Sequence, residues 1–97
     1  MSYWLHPAAA EEHKKQVARY ENIQAGLGKR YHAEFRNVLT WVCAFPDRSR
    51  IVLAPDIRRA MFKVFHFDLV YREVAGSVQV LAIAHHRRQP GYWVARV

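Results

Sequence analysis

The chain has 97 residues, of which 52% are hydrophobic and 24% charged, with 15 Lys and Arg set against eight Asp and Glu for a net charge of +7. That length supports one modest core, so the whole of 1–97 reads as a single domain, and its apolar and aromatic content excludes a disordered segment. One cysteine, Cys43, excludes an internal disulfide framework and a Cys-paired zinc site. The apolar stretches are broken by charge well before the ~18 residues of a membrane span, and the start Met1-Ser2-Tyr3-Trp4-Leu5-His6 has no basic lead into an apolar run. The expectation is a complete cytoplasmic protein with no membrane partner, whose positive surface meets something acidic.

In chain order, Tyr3 to Leu5 is a short apolar entry that reads as an edge strand. Pro7 then sits where a first-turn proline is tolerated, with Glu11 and Glu12 near the positive end of a helix dipole. Ala10, His13, Val17, Tyr20 and Gln24 recur at helical steps, while Glu12, Lys15, Arg19 and Asn22 fall on the solvated side, and Gly26 stops the helix. Leu27, Tyr31, Phe35, Val38, Val42 and Phe45 form a second apolar stripe that Pro46 ends. The connection Ala25-Gly26-Leu27-Gly28 is short enough to make the helices antiparallel neighbours.

From Asp47 the period changes. Arg50 to Leu53, Arg59 to Phe65, Phe67 to Val74 and Val78 to Ala84 are rich in β-branched and aromatic residues and read as strands, with turns at Pro55-Asp56 and Ala75-Gly76-Ser77. The last of them is apolar on both faces and reads as central. The predicted architecture is α+β, a β-α-α-β-β-β chain in which a helix hairpin covers one face of a twisted antiparallel sheet.

Charge is divided unequally. Residues 1–46 hold six Lys and Arg against four Glu, net +2, whereas residues 47–97 hold nine against four, net +5. On the strand starting at Arg59, alternation places Arg59, Met61 and Lys63 on one face, and on the next strand Asp68, Val70 and Arg72 share a face, so that cations gather across the pairing. The tail then supplies His85-His86-Arg87-Arg88 and Tyr92-Trp93. Binding candidates are therefore Arg58, Arg59, Lys63, Arg72, Arg87 and Arg88. A metal-free ribonuclease needs a base, cations for the phosphorane and an acid, and the same residue types also hold an acidic peptide or a nucleic-acid backbone without chemistry. His85, at the end of a buried strand, and Trp93 read as packing residues, and Cys43 as a buried, inert thiol. Adjacent His85 and His86 point to opposite faces and are poorly placed for one metal ion, so no metal and no cofactor are expected.

The order of these pieces resembles the RelE/ParE superfamily of toxins from bacterial type II toxin-antitoxin pairs, often labelled plasmid stabilisation proteins. The matching pieces are His6-Pro7-Ala8, Gly26-Leu27-Gly28 with Arg30-Tyr31, the Arg58-Arg59 pair, Phe65 to Arg72 around Val70-Tyr71-Arg72, and the tail His85-x-x-Arg88-x-Pro90-x-x-Trp93. The resemblance implies a growth-inhibiting toxin neutralised by a cognate antitoxin with a flexible, often acidic segment. It also implies one of two activities: cleavage of mRNA on the ribosome as in RelE, or inhibition of DNA gyrase as in ParE. In the nuclease reading Arg59 and Arg72 are the phosphate-stabilising cations and His86 or Tyr92 the acid/base groups. Arg48 and Arg50 stand where RelE-like chains carry lysines, and the tail is more similar to the ParE branch, which tilts the reading to a gyrase inhibitor. A third alternative, a non-toxic RNA-binding module, rests on basic charge alone.

Overall fold

The computed structural model describes all 97 residues, as strand β1 (Ser2–Leu5), helices α1 (Pro7–Ile23) and α2 (Leu27–Ala44), strands β2 (Arg50–Leu53), β3 (Ile57–Met61), β4 (Phe67–Val74) and β5 (Ser77–His85), and a closing 3-10 turn at Val94–Arg96. Pro7 opens α1 as read, and the His6 ring caps it by accepting from the Ala8 amide at 3.1 Å. The His6 amide in turn donates to the Val80 carbonyl at 2.8 Å, which ties the start of the helix to β5. Glu11 and Glu12 do not act on the helix dipole. They begin the second turn, past the free N–H groups, and no acid stands in the first.

The helix hairpin closes on Glu21. Its carboxylate accepts from the amides of Gly26 at 2.9 Å and Gly28 at 3.1 Å, holding the connection against α1. Gly26 lies at φ +87, which favours glycine, and Gly28 packs so close to α1 that a Cβ there would stand 2.5 Å from the Val17 carbonyl oxygen. The buried stripe of α2 is Gly28, Tyr31, Phe35, Leu39 and Val42. Leu39 replaces Phe45 in the predicted stripe, since Phe45 is already the helix cap and half-exposed.

The sheet has the order β1-β5-β4-β3-β2. β2 to β5 form the antiparallel meander, but β1 pairs with β5 in parallel, Ser2 opposite Ser77 through Leu5 opposite Val80, so the sheet is mixed rather than wholly antiparallel. The helix pair carries the chain from β1 across to the far edge, and the meander brings it back alongside β1 in the same direction. β3 stops at Met61, four residues short of the predicted end. The Glu34 carboxylate of α2 captures the amides of Val64 at 3.0 Å and Phe65 at 3.1 Å and draws the chain into a turn, so Lys63 leaves the sheet.

A bulge in β5 decides which side chains face where. Val70 pairs with Ala82 and Tyr71 with Val80, which leaves Leu81 as an extra residue. Val78, Val80 and Ile83 therefore join the main core under the helices, with Tyr31, Phe35, Leu69 and Tyr71. Leu81 and Ala82 both turn outward into a second, smaller core with Ile57, Val70 and Trp93. The tail is thus packed onto the face opposite the helices. No helix is long and apolar enough to cross a membrane.

Between the helices, His13 Nε2 lies 2.8 Å from His32 Nδ1, with the His13 ring stacked on Phe35 at 3.9 Å. Burial, with His32 adding to it, pulls the His13 pKa from 6.5 down to about 4. The unfolded chain takes this proton near pH 6.5 and the folded chain near 4, so stability falls as pH drops through that interval. Urea unfolding from pH 7.5 to 4 should show this slope, and His13→Leu should flatten it. Gly28→Ala should lower stability by roughly 1–3 kcal/mol at pH 7.5, read from the same unfolding midpoints.

Candidate functional site

Alternation along β3 separates the two adjacent arginines. Ile57, Arg59 and Met61 face the outer core, whereas Arg58 turns toward the other face and donates to the Ser49 carbonyl at 2.7 Å. Arg59 reaches Asp68 of the neighbouring strand, with Nη1 3.4 Å from Oδ2. The other oxygen, Oδ1, is 3.1 Å from His86 Nε2. The Asp68 side chain is 12% exposed against 36% for Arg59 and 32% for His86, so an incoming partner meets the two cation-forming groups and the carboxylate lies beneath them. Asp68 holds both in place, and sequence reasoning gave it no part beyond its side of the strand. The signal was a carboxylate in the apolar first half of β4, on the face that Arg59 shares.

His86 is held at its backbone by donation to the His66 carbonyl at 2.9 Å, and the chain then turns at His85–Arg88. Arg88 comes back over the Tyr92 ring, its Cζ 3.9 Å from the centroid, within the range of a cation–π contact. These groups line an open cleft of about 260 Å³ floored by Val70 and Trp93. Tyr92 stands in its wall, but its hydroxyl donates to Glu12 Oε2 of α1 at 2.7 Å. Burial and that hydrogen bond push its pKa well above the usual phenol range.

The remaining candidates stand elsewhere. Arg72 is on the outer face as expected, but four residues further along β4 than Asp68, about 13 Å at strand rise, and its Nε donates to the Gln79 amide oxygen at 2.8 Å. Arg87 is exposed beside the cleft, and its amide donates to His85 Nδ1 at 3.0 Å. The His85 ring lies edge-on to Phe67 at 4.9 Å, on the helix side of the sheet and opposite to His86. Burial and the charge of Arg87 lower its pKa. Lys63 lines a second groove of about 900 Å³ between α2 and β3, with Arg30, Trp41 and Arg50. Arg59 and Met61 border both depressions. No three His, Cys, Asp or Glu side chains converge as a metal set.

The small mixed sheet with a helix hairpin packed on one face matches the fold of solved ParE and RelE toxins. A chain of the chromosomal ParDE TA system from P. aeruginosa superposes with a TM-score of 0.76 at 16% identity, over 88% of this chain and 95% of that one. The isolated E. coli RelE toxin superposes with a TM-score of 0.68 at 18% identity, over 97% of this chain and 93% of that one. No curated protein matches the chain in sequence. The family described as ParE toxin of type II toxin-antitoxin system, parDE, matches residues 3–90, and the chain belongs to it. It is a toxin of a type II toxin-antitoxin system, and this sets aside the non-toxic RNA-binding alternative.

Trp93 fastens the tail to the sheet, buried to 6% exposure among Ile57, Val70, Leu81 and Ala82. Trp93→Ala should cost about 3–5 kcal/mol and release the cleft wall, seen as rapid proteolysis within residues 89–97 before the remainder of the domain is cut.

Proposed function

We propose that this toxin arrests growth as a ParE-type inhibitor of DNA gyrase, binding through the outer cleft with Arg59, Arg88 and the neighbouring Arg87 as its cations. The observation that carries this reading is the placement of Tyr92. Its hydroxyl is committed to Glu12, so the cleft presents guanidiniums and one Asp-paired imidazole without a free phenol to serve as the matching acid. Such a surface favours holding a charged partner over bond cleavage, because general acid–base chemistry needs a proton donor within reach of the leaving group. The match to the ParE family supports the same reading. A cognate antitoxin is part of the proposal, its acidic segment neutralising a chain of net charge +7.

The second reading is ribosome-dependent mRNA cleavage. It is favoured by one geometry, His86 3.1 Å from Asp68 with Arg59 on the other carboxylate oxygen, an oriented imidazole beside a phosphate-binding cation. Arg88 then takes the place that Arg72, bonded to Gln79, does not reach.

Purified gyrase supercoiling relaxed plasmid should slow as the toxin is added, and Arg59→Glu or Arg88→Glu should each weaken inhibition at least about tenfold, the cost expected for reversing a contact charge. Supercoiling indifferent to the wild-type chain overturns the gyrase reading. Fragments of ribosome-bound message that vanish with His86→Ala establish the nuclease in its place.

A further inference from the structure

Glu12 is the most heavily bonded acid in the molecule, and it lies outside the cleft. Oε1 accepts from the Ile83 amide at 3.1 Å and from Arg96 Nη1 at 2.9 Å; Oε2 accepts from the Tyr92 hydroxyl at 2.7 Å and from Arg96 Nη2 at 2.9 Å. Those four bonds fill the acceptor capacity of a carboxylate. Every donor comes from β5 or the tail, so α1 reaches across the end of the sheet to grip the segment that walls the cleft. The Tyr92 ring, fixed at its hydroxyl end, is the platform on which the Arg88 guanidinium rests.

We propose that Glu12 is a positioning residue for Arg88. By fixing the Tyr92 ring it presents the exposed Arg88 side chain at the rim of the cleft, beside Arg59 and His86, in the place where the target is met. This rests on the reading of the outer cleft as the toxin's working surface and holds for either target. An exposed arginine on a free tail carries the full rotamer entropy of its long side chain, and ordering it before the encounter removes that cost from binding. Trp93 fastens the tail to the sheet at a second point, and the amide oxygen of Glu12→Gln still accepts from the Ile83 amide, so the substitution loosens the platform while the edge of β5 keeps its partner.

The experiment is a double-mutant cycle on growth arrest. The wild-type chain, Glu12→Gln, Arg88→Ala and the double variant are induced in a bacterial host from a titratable promoter, toxin levels are measured by immunoblot, and each purified protein is melted. Glu12→Gln should raise the toxin level needed for arrest about tenfold, Arg88→Ala by at least as much, and the double variant no further than Arg88→Ala alone. Tyr92→Phe, which cuts only the link to Glu12 and spares the bonds to Arg96 and Ile83, should lose potency with no more than a few degrees of melting temperature. Multiplying effects of the two single substitutions, or a Tyr92→Phe chain of wild-type potency, overturns the positioning role. If Arg88→Ala alone arrests growth at the wild-type dose, the cleft itself is the wrong surface and the proposal falls with it; if Arg88→Ala loses potency and Glu12→Gln does not, only the role of Glu12 falls.

Discussion

The structure depends on how the open side of β5 is satisfied. β1 pairs with Ser77–Val80 only, and the last bond on that side runs from the His6 amide to the Val80 carbonyl. Beyond it the backbone of a largely buried strand has no neighbouring strand, and unpaired polar groups there would be costly. Two side chains take over. Glu12 accepts from the Ile83 amide and Arg96 donates to the Leu81 carbonyl at 3.0 Å, while the two groups pair with each other. The ion pair replaces a missing length of strand, and it draws the C-terminal tail across the outer face. Without that tail Ile57, Val70, Leu81 and Ala82 would be left facing water.

The same arrangement gives the outer face its electrostatic character. Glu12 is saturated by tail donors and Asp68 is shared between Arg59 and His86, so neither carboxylate stands free to repel an anionic partner. The cations keep their accessible faces. Arg59 stands between the tail-floored cleft and the groove under α2, which makes one continuous basic border from Arg88 to Lys63 and Arg50. What the cleft offers chemically is an oriented imidazole, a committed phenol and guanidiniums.

Much of this was legible from residue pattern. Helical spacing located both helices, Gly26 and Gly28 marked the tight connection, and alternation on β4 placed Asp68, Val70 and Arg72 on one face. The largest failures lay in long-range contacts. Glu12 was read as solvated because charge on a helix normally is, and its donors are about seventy or more positions away. β3 was read too long because the turn after Met61 is made by Glu34, on another element. The parallel pairing of β1 follows from the path of the whole chain. The separation of Arg58 from Arg59 was available in the pleat period, but their adjacency in sequence suggested a joint patch.

β2 forms the other rim of the sheet, hydrogen-bonded on one side only, and Ile51, Val52 and Leu53 are all exposed along it. Such a border is a template for any extended peptide, including another copy of the same chain. The irregularity between Ile51 and Leu53 and the charge of Arg50 interrupt it, but three adjacent apolar residues remain in water. The edge of the sheet away from the Glu12–Arg96 pair is thus where unpaired backbone and apolar side chains lie together, the surface that an added strand would cover.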